Sequence, residues 1–281
     1  MTTQRAELRK SRKRRLTRRR VVGAASGAVL LTGAAVGANV MLSPAGAATA
    51  AAADWPTPTG DKPVTETIEV SSTFDGELQR FYGSGDLGGD GQEEGQDPIF
   101  KLKDGAVLKN VVLGKPAADG VHCSGSCTIE NVWWEDVGED AATFKGTSAS
   151  STYTVTGGGA KQADDKVLQF NGAGTLNITG FQVADFGKLV RSCGNCSTQH
   201  KRTITIDDVD VTAPGKSLVG INTNYGDTAT LSRIRIHGDD DKKIEPCIRY
   251  TGNDSGDEPE ETGSGPDGTY CKYSASDISY Q

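Results

Sequence analysis

Val107-Leu108-Lys109-Asn110-Val111-Val112-Leu113 and, shortly after it, Cys127-Thr128-Ile129-Glu130-Asn131-Val132-Trp133 decide the fold. Apolar side chains alternate with polar ones in both, the mark of a strand with one buried face. Leu108 and Ile129 occupy equivalent places in the two runs. Runs of the same kind return at Thr152-Tyr153-Thr154-Val155-Thr156, Thr175-Leu176-Asn177-Ile178-Thr179, Thr203-Ile204-Thr205-Ile206-Asp207 and Ala229-Thr230-Leu231-Ser232-Arg233-Ile234. The markers Leu108, Ile129, Tyr153, Leu176, Ile204 and Leu231 advance by 21, 24, 23, 28 and 27. A repeat of that length cannot bury its own apolar face, so successive repeats must stack on one another. The spacing predicts an all-β, single-stranded solenoid: a parallel β-helix. Strands of this length and spacing also suit a β-sandwich. The unequal steps imply unequal loops, and loops are where such a scaffold carries its chemistry.

Composition narrows the function. The chain has 281 residues and a formal charge of −7, but the charges are not spread evenly. Residues 1–53 hold ten of the 30 Lys and Arg and only Glu7 of the 37 acids, which leaves 20 basic against 36 acidic side chains in the body, near −16. So acidic a body excludes a nucleic-acid binder, whose affinity for phosphate needs a basic footprint. Gly is 36 of 281 while Pro is 10. Against a usual ~7% Gly, this describes many tight turns without a disordered Pro-rich tract.

The first 53 residues read as an export signal. Arg5 to Arg20 is basic, Val21 to Leu42 is apolar and small, and A-x-A sites follow at Ala45-Gly46-Ala47 and Ala48-Thr49-Ala50. Thr17-Arg18-Arg19-Arg20-Val21-Val22 is similar to the twin-arginine type of bacterial signal. Its removal leaves residues 54–281 as one extracellular domain with no membrane contact. The six cysteines all lie in that body, an even number in an exported chain, and pairing in sequence order is the economical expectation. Residues 253–267, rich in acids and glycine, read as a solvated loop pinned by Cys247 and Cys271.

The densest functional signal is acidic. Asp119 precedes Glu139 by 20 and Asp140 by 21, in a region where the repeat itself advances by 21. One coil of separation puts the three carboxylates side by side, where they repel unless a cation neutralises them. Oxygen-only ligands favour a hard ion such as Ca2+. Lys166 and Lys188, set 22 apart, stack in the same way one step beyond, with Arg191 nearby. Cations beside a calcium site suit an anionic polymer with regularly spaced carboxylates, although salt bridges to surface acids are the commoner use of such lysines.

Four motifs in order, Ala118-Asp119-Gly120-Val121-His122-Cys123, Trp134-Glu135-Asp136-Val137-Gly138-Glu139-Asp140-Ala141, Asp165-Lys166-Val167 and Gly187-Lys188-Leu189-Val190-Arg191, closely resemble those of the pectate lyases of polysaccharide lyase family 3. The resemblance runs from about Val64 to Leu218. It implies a right-handed parallel β-helix, secreted, that cleaves polygalacturonate by calcium-dependent β-elimination. It further implies that Asp119, Glu139 and Asp140 hold calcium and that Lys166, Lys188 and Arg191 are the catalytic or substrate-binding cations. Within Gly89-Asp90-Gly91-Gln92-Glu93-Glu94-Gly95-Gln96-Asp97-Pro98-Ile99-Phe100, Glu94 matches a further family acid, placed here as substrate-binding. The chain departs from simpler members in residues 193–201 and in its acidic loop.

β-Elimination removes the proton on carbon 5 of a galacturonate and expels the oxygen on carbon 4. Calcium on the neighbouring carboxylate stabilises the anion that develops. A cation-rich, metal-adjacent pocket is expected to depress a lysine pKa and free a neutral amine, which makes Lys166 the base. Arg191 then holds the carboxylate by bidentate contact and Lys188 clamps substrate, with the roles of Lys166 and Arg191 open to exchange. His122 reads as a residue that positions the calcium loop, while His200 and His237 show no carboxylate partner. The competing reading is a non-catalytic, calcium-dependent pectin-binding β-helix. A monomer is the expected state.

Overall fold

The computed structural model describes residues 54–281 except Asp90 and residues 92–94. The export signal and Glu94 lie outside the described residues. Strands fill most of the remainder, and helix is confined to three short 3-10 turns at Gly85–Leu87, Thr223–Tyr225 and Ala275–Asp277.

Each coil consists of three straight runs separated by bends, such as residues 106–109, 111–113 and 121–123, then 127–130, 132–134 and 142–144 one coil later. The first bend is a single left-handed residue, Asn110 and Asn131 both at φ 52 and Asp208 at φ 56. A short polar side chain tolerates that conformation where a β-branched one does not. The asparagines also bind one another across coils. Asn131 Nδ2 donates to Asn110 Oδ1 at 2.8 Å, and Asn110 Nδ2 to Asp75 Oδ1 at 3.0 Å.

Coils pair in parallel register. Phe74, Leu108, Ile129, Val155, Ile178, Ile206 and Leu231 form consecutive rungs of the first face. Two of the marker pairings expected from sequence are displaced: Ile129 meets Val155 rather than Tyr153, and Ile204 meets Ala229 rather than Leu231. Both slips are of two residues. Side chains alternate with a period of two, so such a slip changes the partner without turning the apolar face outward, and alternation alone does not detect it. The second face stacks Leu113, Trp134, Ala160, Val183, Val211 and Ile236. The third stacks Phe100, Val121, Ala142, Leu168, Val190, Val219 and Cys247. All of these but Phe74, which packs against the core half-buried, are buried, so the inside is a continuous apolar column. Burying each aliphatic side chain contributes ~1.5–3 kcal/mol. Phe144, Tyr153 and Phe170 meet at ring separations of 5.0 to 6.0 Å and close the column beneath the third face.

Parallel pairing throughout most of the chain excludes the antiparallel sandwich. Among the described residues one strand pair runs antiparallel, Glu260–Ser264 against Glu245–Thr251. The sequence reads that segment as part of a solvated loop. Its side chains are largely exposed, so backbone pairing rather than an apolar pattern forms it. Strands before Ala106 also escape the pattern. Thr73–Gly83 is interrupted by left-handed Glu77 and Leu78, and the third-face runs Phe100–Leu102, Val121–Cys123 and Ala142–Phe144 are too short to alternate visibly. The cysteines pair in sequence order, Cys123 with Cys127, Cys193 with Cys196 and Cys247 with Cys271.

Candidate active site

The third face carries the chemistry. Its outward rungs are Lys101, His122, Thr143, Gln169, Arg191 and Gly220. Asp119 stands just before one such run, and Glu139 and Asp140 just before the next. Two glycines bring these bends together. A Cβ on Gly120, at φ 50, would lie 2.2 Å from the Ala141 carbonyl oxygen, and one on Gly138 would lie 2.0 Å from that of Ala118. No side chain fits at either position, so the approach of the two acidic bends requires glycine.

Asp119, Glu139 and Asp140 each offer a carboxylate oxygen within 4.8 Å of the others, as their one-coil spacing predicts. They are 5%, 7% and 2% exposed. Asp119 Oδ1 and Asp140 Oδ1 are buried without a hydrogen-bond partner among the described residues. Burial raises the Asp140 carboxyl to about 9, with Glu139 and Asp119 adding repulsion. Burial, then Asp119, raises Glu139 as well. His122 Nε2 lies 2.6 Å from Asp119 Oδ2 and so orients that carboxylate. Lys145, not singled out in the sequence, places its Nζ 3.1 and 3.2 Å from the two ring nitrogens of His122.

The cations assemble around Asp165, to which the sequence motifs alone give no role. Lys166 and Lys188 are adjacent rungs, as their spacing predicts. Asp165 joins them, its Oδ2 2.9 Å from Lys166 Nζ and its Oδ1 2.5 Å from Lys188 Nζ. The two lysines outweigh burial and hold Asp165 down to about 2. Lys166 Nζ also lies 3.6 Å from both Glu139 Oε1 and Asp140 Oδ1. The expected depression of its pKa is absent from this structure. Burial alone would lower it, but the neighbouring Asp140, Asp165 and Glu139 together raise it. Arg191 is 7% exposed, and burial lowers its pKa. His237, expected to lack a carboxylate partner, meets Asp210 Oδ1 at 3.0 Å from the adjacent coil.

The raised carboxyls make stability depend on pH and on cations. Between the unfolded value of ~3.9 and about 9, folded Asp140 binds a proton that the unfolded chain has released. Stability contributed by this site is therefore present at low pH and lost as pH rises through that window. Thermal unfolding under chelator is expected to show a falling midpoint from pH 5 to 9, and added calcium to remove the fall by replacing the proton. An identical pH profile with and without calcium would refute the site.

Comparison with known proteins gives a consistent answer. The pectate lyase family model matches residues 52–257, extending past both limits of the resemblance read from the motifs. Probable pectate lyase E of Neosartorya fischeri is 51% identical over 226 residues, covering 79% of this chain and 85% of its own. Pectate lyase E of Emericella nidulans is 49% identical over 227 residues, covering 79% and 85%. The catalytic domain of pectate lyase PelI from Erwinia chrysanthemi is similar at 35% identity and a TM-score of 0.68, over 79% of this chain and 100% of that one. PelI bound to tetragalacturonic acid matches at 36% identity and a TM-score of 0.67, over 78% and 70%. With its stacked coils, buried acids and paired lysines, the chain belongs to the pectate lyase family and is a polysaccharide lyase.

Proposed function

We propose that this lyase is calcium-dependent and cleaves polygalacturonate, with Asp119, Glu139 and Asp140 holding the ion. The observation that carries this reading is the buried, oxygen-only triad, two of whose oxygens have no hydrogen-bond partner among the described residues, set directly beside Lys166. The donors suit a hard divalent cation and no soft one. When bound, calcium would neutralise a galacturonate carboxylate and so acidify the proton on the adjacent carbon.

The protein's own groups do the rest. Lys166 is the base that takes the carbon-5 proton onto Nζ. Its present hold on the proton comes from Asp140, Asp165 and Glu139, and neutralising the triad leaves Asp165 as the principal remaining anion. Lys188 clamps a substrate carboxylate, and Asp165 spaces the two ammonium groups along the cleft. Arg191 pairs with a carboxylate through the guanidinium edge that the protein leaves open. Glu94 is retained as a substrate-binding residue on the strength of the motif alone. The scaffold is read as a right-handed, monomeric solenoid. The leader is read as a twin-arginine type export signal, removed to release an extracellular bacterial enzyme; among the described residues no helix is long and apolar enough to cross a membrane.

Ultraviolet absorbance of the unsaturated product tests the core of this reading. Mature protein with polygalacturonate and calcium is expected to give steady growth that chelator stops and excess calcium restores. Growth indifferent to chelator would overturn the metal assignment. Polymer binding without growth would return the protein to the non-catalytic reading.

A further inference from the structure

We propose that Tyr250 is a positioning residue for Arg191, reaching it across a gap in the ladder that Gly220 creates. This rests on the carboxylate-binding role given to Arg191 above. Gly220 is the rung between Arg191 and Ile248, and Tyr250 stands two residues beyond Ile248 on the same strand. A Cβ on Gly220 would lie 2.9 Å from Arg191 Cδ and 3.1 Å from Tyr250 Cε2. Any side chain there would part the two residues. In its absence the Tyr250 ring lies under the guanidinium, 4.1 Å from its central carbon, in cation–π geometry.

The remaining surroundings fix the rotation of that plane. Arg191 Nη1 donates to the Ser192 carbonyl at 2.6 Å, to Asn222 Oδ1 at 3.1 Å and to the Gly220 carbonyl at 3.4 Å. Asn222 is itself held, its Nδ2 donating to the Cys193 carbonyl at 2.9 Å. Gly194, inside the Cys193–Cys196 disulfide loop, fills the space between Pro259 and Nη2, since a Cβ there would lie 2.2 Å from Pro259 Cγ and 2.5 Å from Arg191 Nη2. All the hydrogen bonds that Arg191 makes among the described residues come from Nη1. Nε and Nη2 remain, and together they form the fork that meets a carboxylate bidentately. The stack on Tyr250 stops the fork from rotating out of the cleft, while Gly194 leaves room beside Nη2 that a side chain would fill.

Steady-state kinetics on polygalacturonate in the calcium-loaded enzyme test the proposal, each variant being checked for a cooperative unfolding transition. Tyr250→Phe, which keeps the ring, is expected to retain KM and kcat within about twofold, whereas Tyr250→Leu is expected to raise KM by ~3- to 30-fold with kcat largely kept. Tyr250→Met, of similar volume and without a ring, repeats the measurement if the Leu variant does not fold. In an Arg191→Lys background, Tyr250→Leu is expected to add nothing, because the planar group it supports is gone; a merely structural role would add its loss independently. If Arg191→Lys raises KM and Tyr250→Leu does not, the positioning role is overturned and the role of Arg191 stands. Equal losses in Tyr250→Phe and Tyr250→Leu would assign the effect to the hydroxyl and overturn it too. An unchanged KM in Arg191→Lys itself would remove the reading on which the proposal rests.

Discussion

Lys166→Ala is expected to lower the rate of double-bond formation by ~10²- to 10⁴-fold while leaving the fold in place, the usual range for removal of a general base. Several features set the size of the effect. Lys166 Nζ lies 3.6 Å from two triad carboxylates, directly beside the proposed cation site. Its side chain is largely buried, so it is held at this point rather than free in solvent. The loss should fall on kcat, since an amine that acts on carbon 5 contributes to the transition state more than to binding. In the wild type the rate should climb toward alkaline pH, because a lysine base acts only as its neutral amine and an ammonium group sheds its proton as pH rises. The alanine variant should lose that climb along with the rate. A variant that retains the rate within a few fold would move the base elsewhere, with Arg191, Lys145 and His122 the groups next to be replaced.

Asp227→Ala is expected to cost ~3–5 kcal/mol of stability, the largest effect foreseen for any single change outside the cleft. Asp227 and Arg202 are both fully buried. Asp227 Oδ1 accepts the Arg202 backbone N–H at 2.9 Å, and Oδ2 accepts that of Asn222 at 3.0 Å. The Arg202 guanidinium spans to other coils, donating to the Gly172 carbonyl at 2.9 Å and the Asn171 carbonyl at 2.8 Å. Removing the carboxylate strands a buried cation and two backbone donors. For a chain of this length the expected fall in Tm is roughly 10 °C. Arg202→Met in the same background should then cost little more, and additive losses in that double variant would contradict a shared network. Because Asn222 also orients Arg191, Asp227→Ala should raise KM as well.

Much of this was legible in the chain, for a physical reason. A solenoid turns sequence spacing into spatial adjacency, so counting places Asp119 with Glu139 and Asp140, and Lys166 with Lys188. The count succeeds for Leu108 with Ile129, Tyr153 with Leu176 and, across the longest step, Leu176 with Ile204. It drifts by two residues between Ile129 and Val155 and between Ile204 and Ala229, where a two-residue slip keeps the same side chains inward. Pairings that depend on loop lengths were not readable. His237 with Asp210, Arg202 with Asp227, and Tyr250 with Arg191 each join coils across unequal loops, and nothing in the local sequence marks one partner for the other. Asp165 is different. It is visible beside Lys166, but in so acidic a chain its type carries no information until its two ammonium partners are in view. The raised pKa of Lys166 was hidden for a related reason, since a stretch of sequence displays neighbouring cations but not the anions that the fold turns to face them.

The antiparallel strand Glu260–Ser264 has a consequence for the protein's resistance to self-association. A stack of parallel coils ends in a row of open backbone groups, a template on which another chain can add a strand and begin a fibril. Here the edge formed by Glu245–Thr251 is taken by a short segment of opposite polarity, and what faces solvent beyond it carries Glu260 and Glu261 with a glycine at position 263. Two like charges on a short strand repel an identical edge, so this acidity guards the edge against fibre growth.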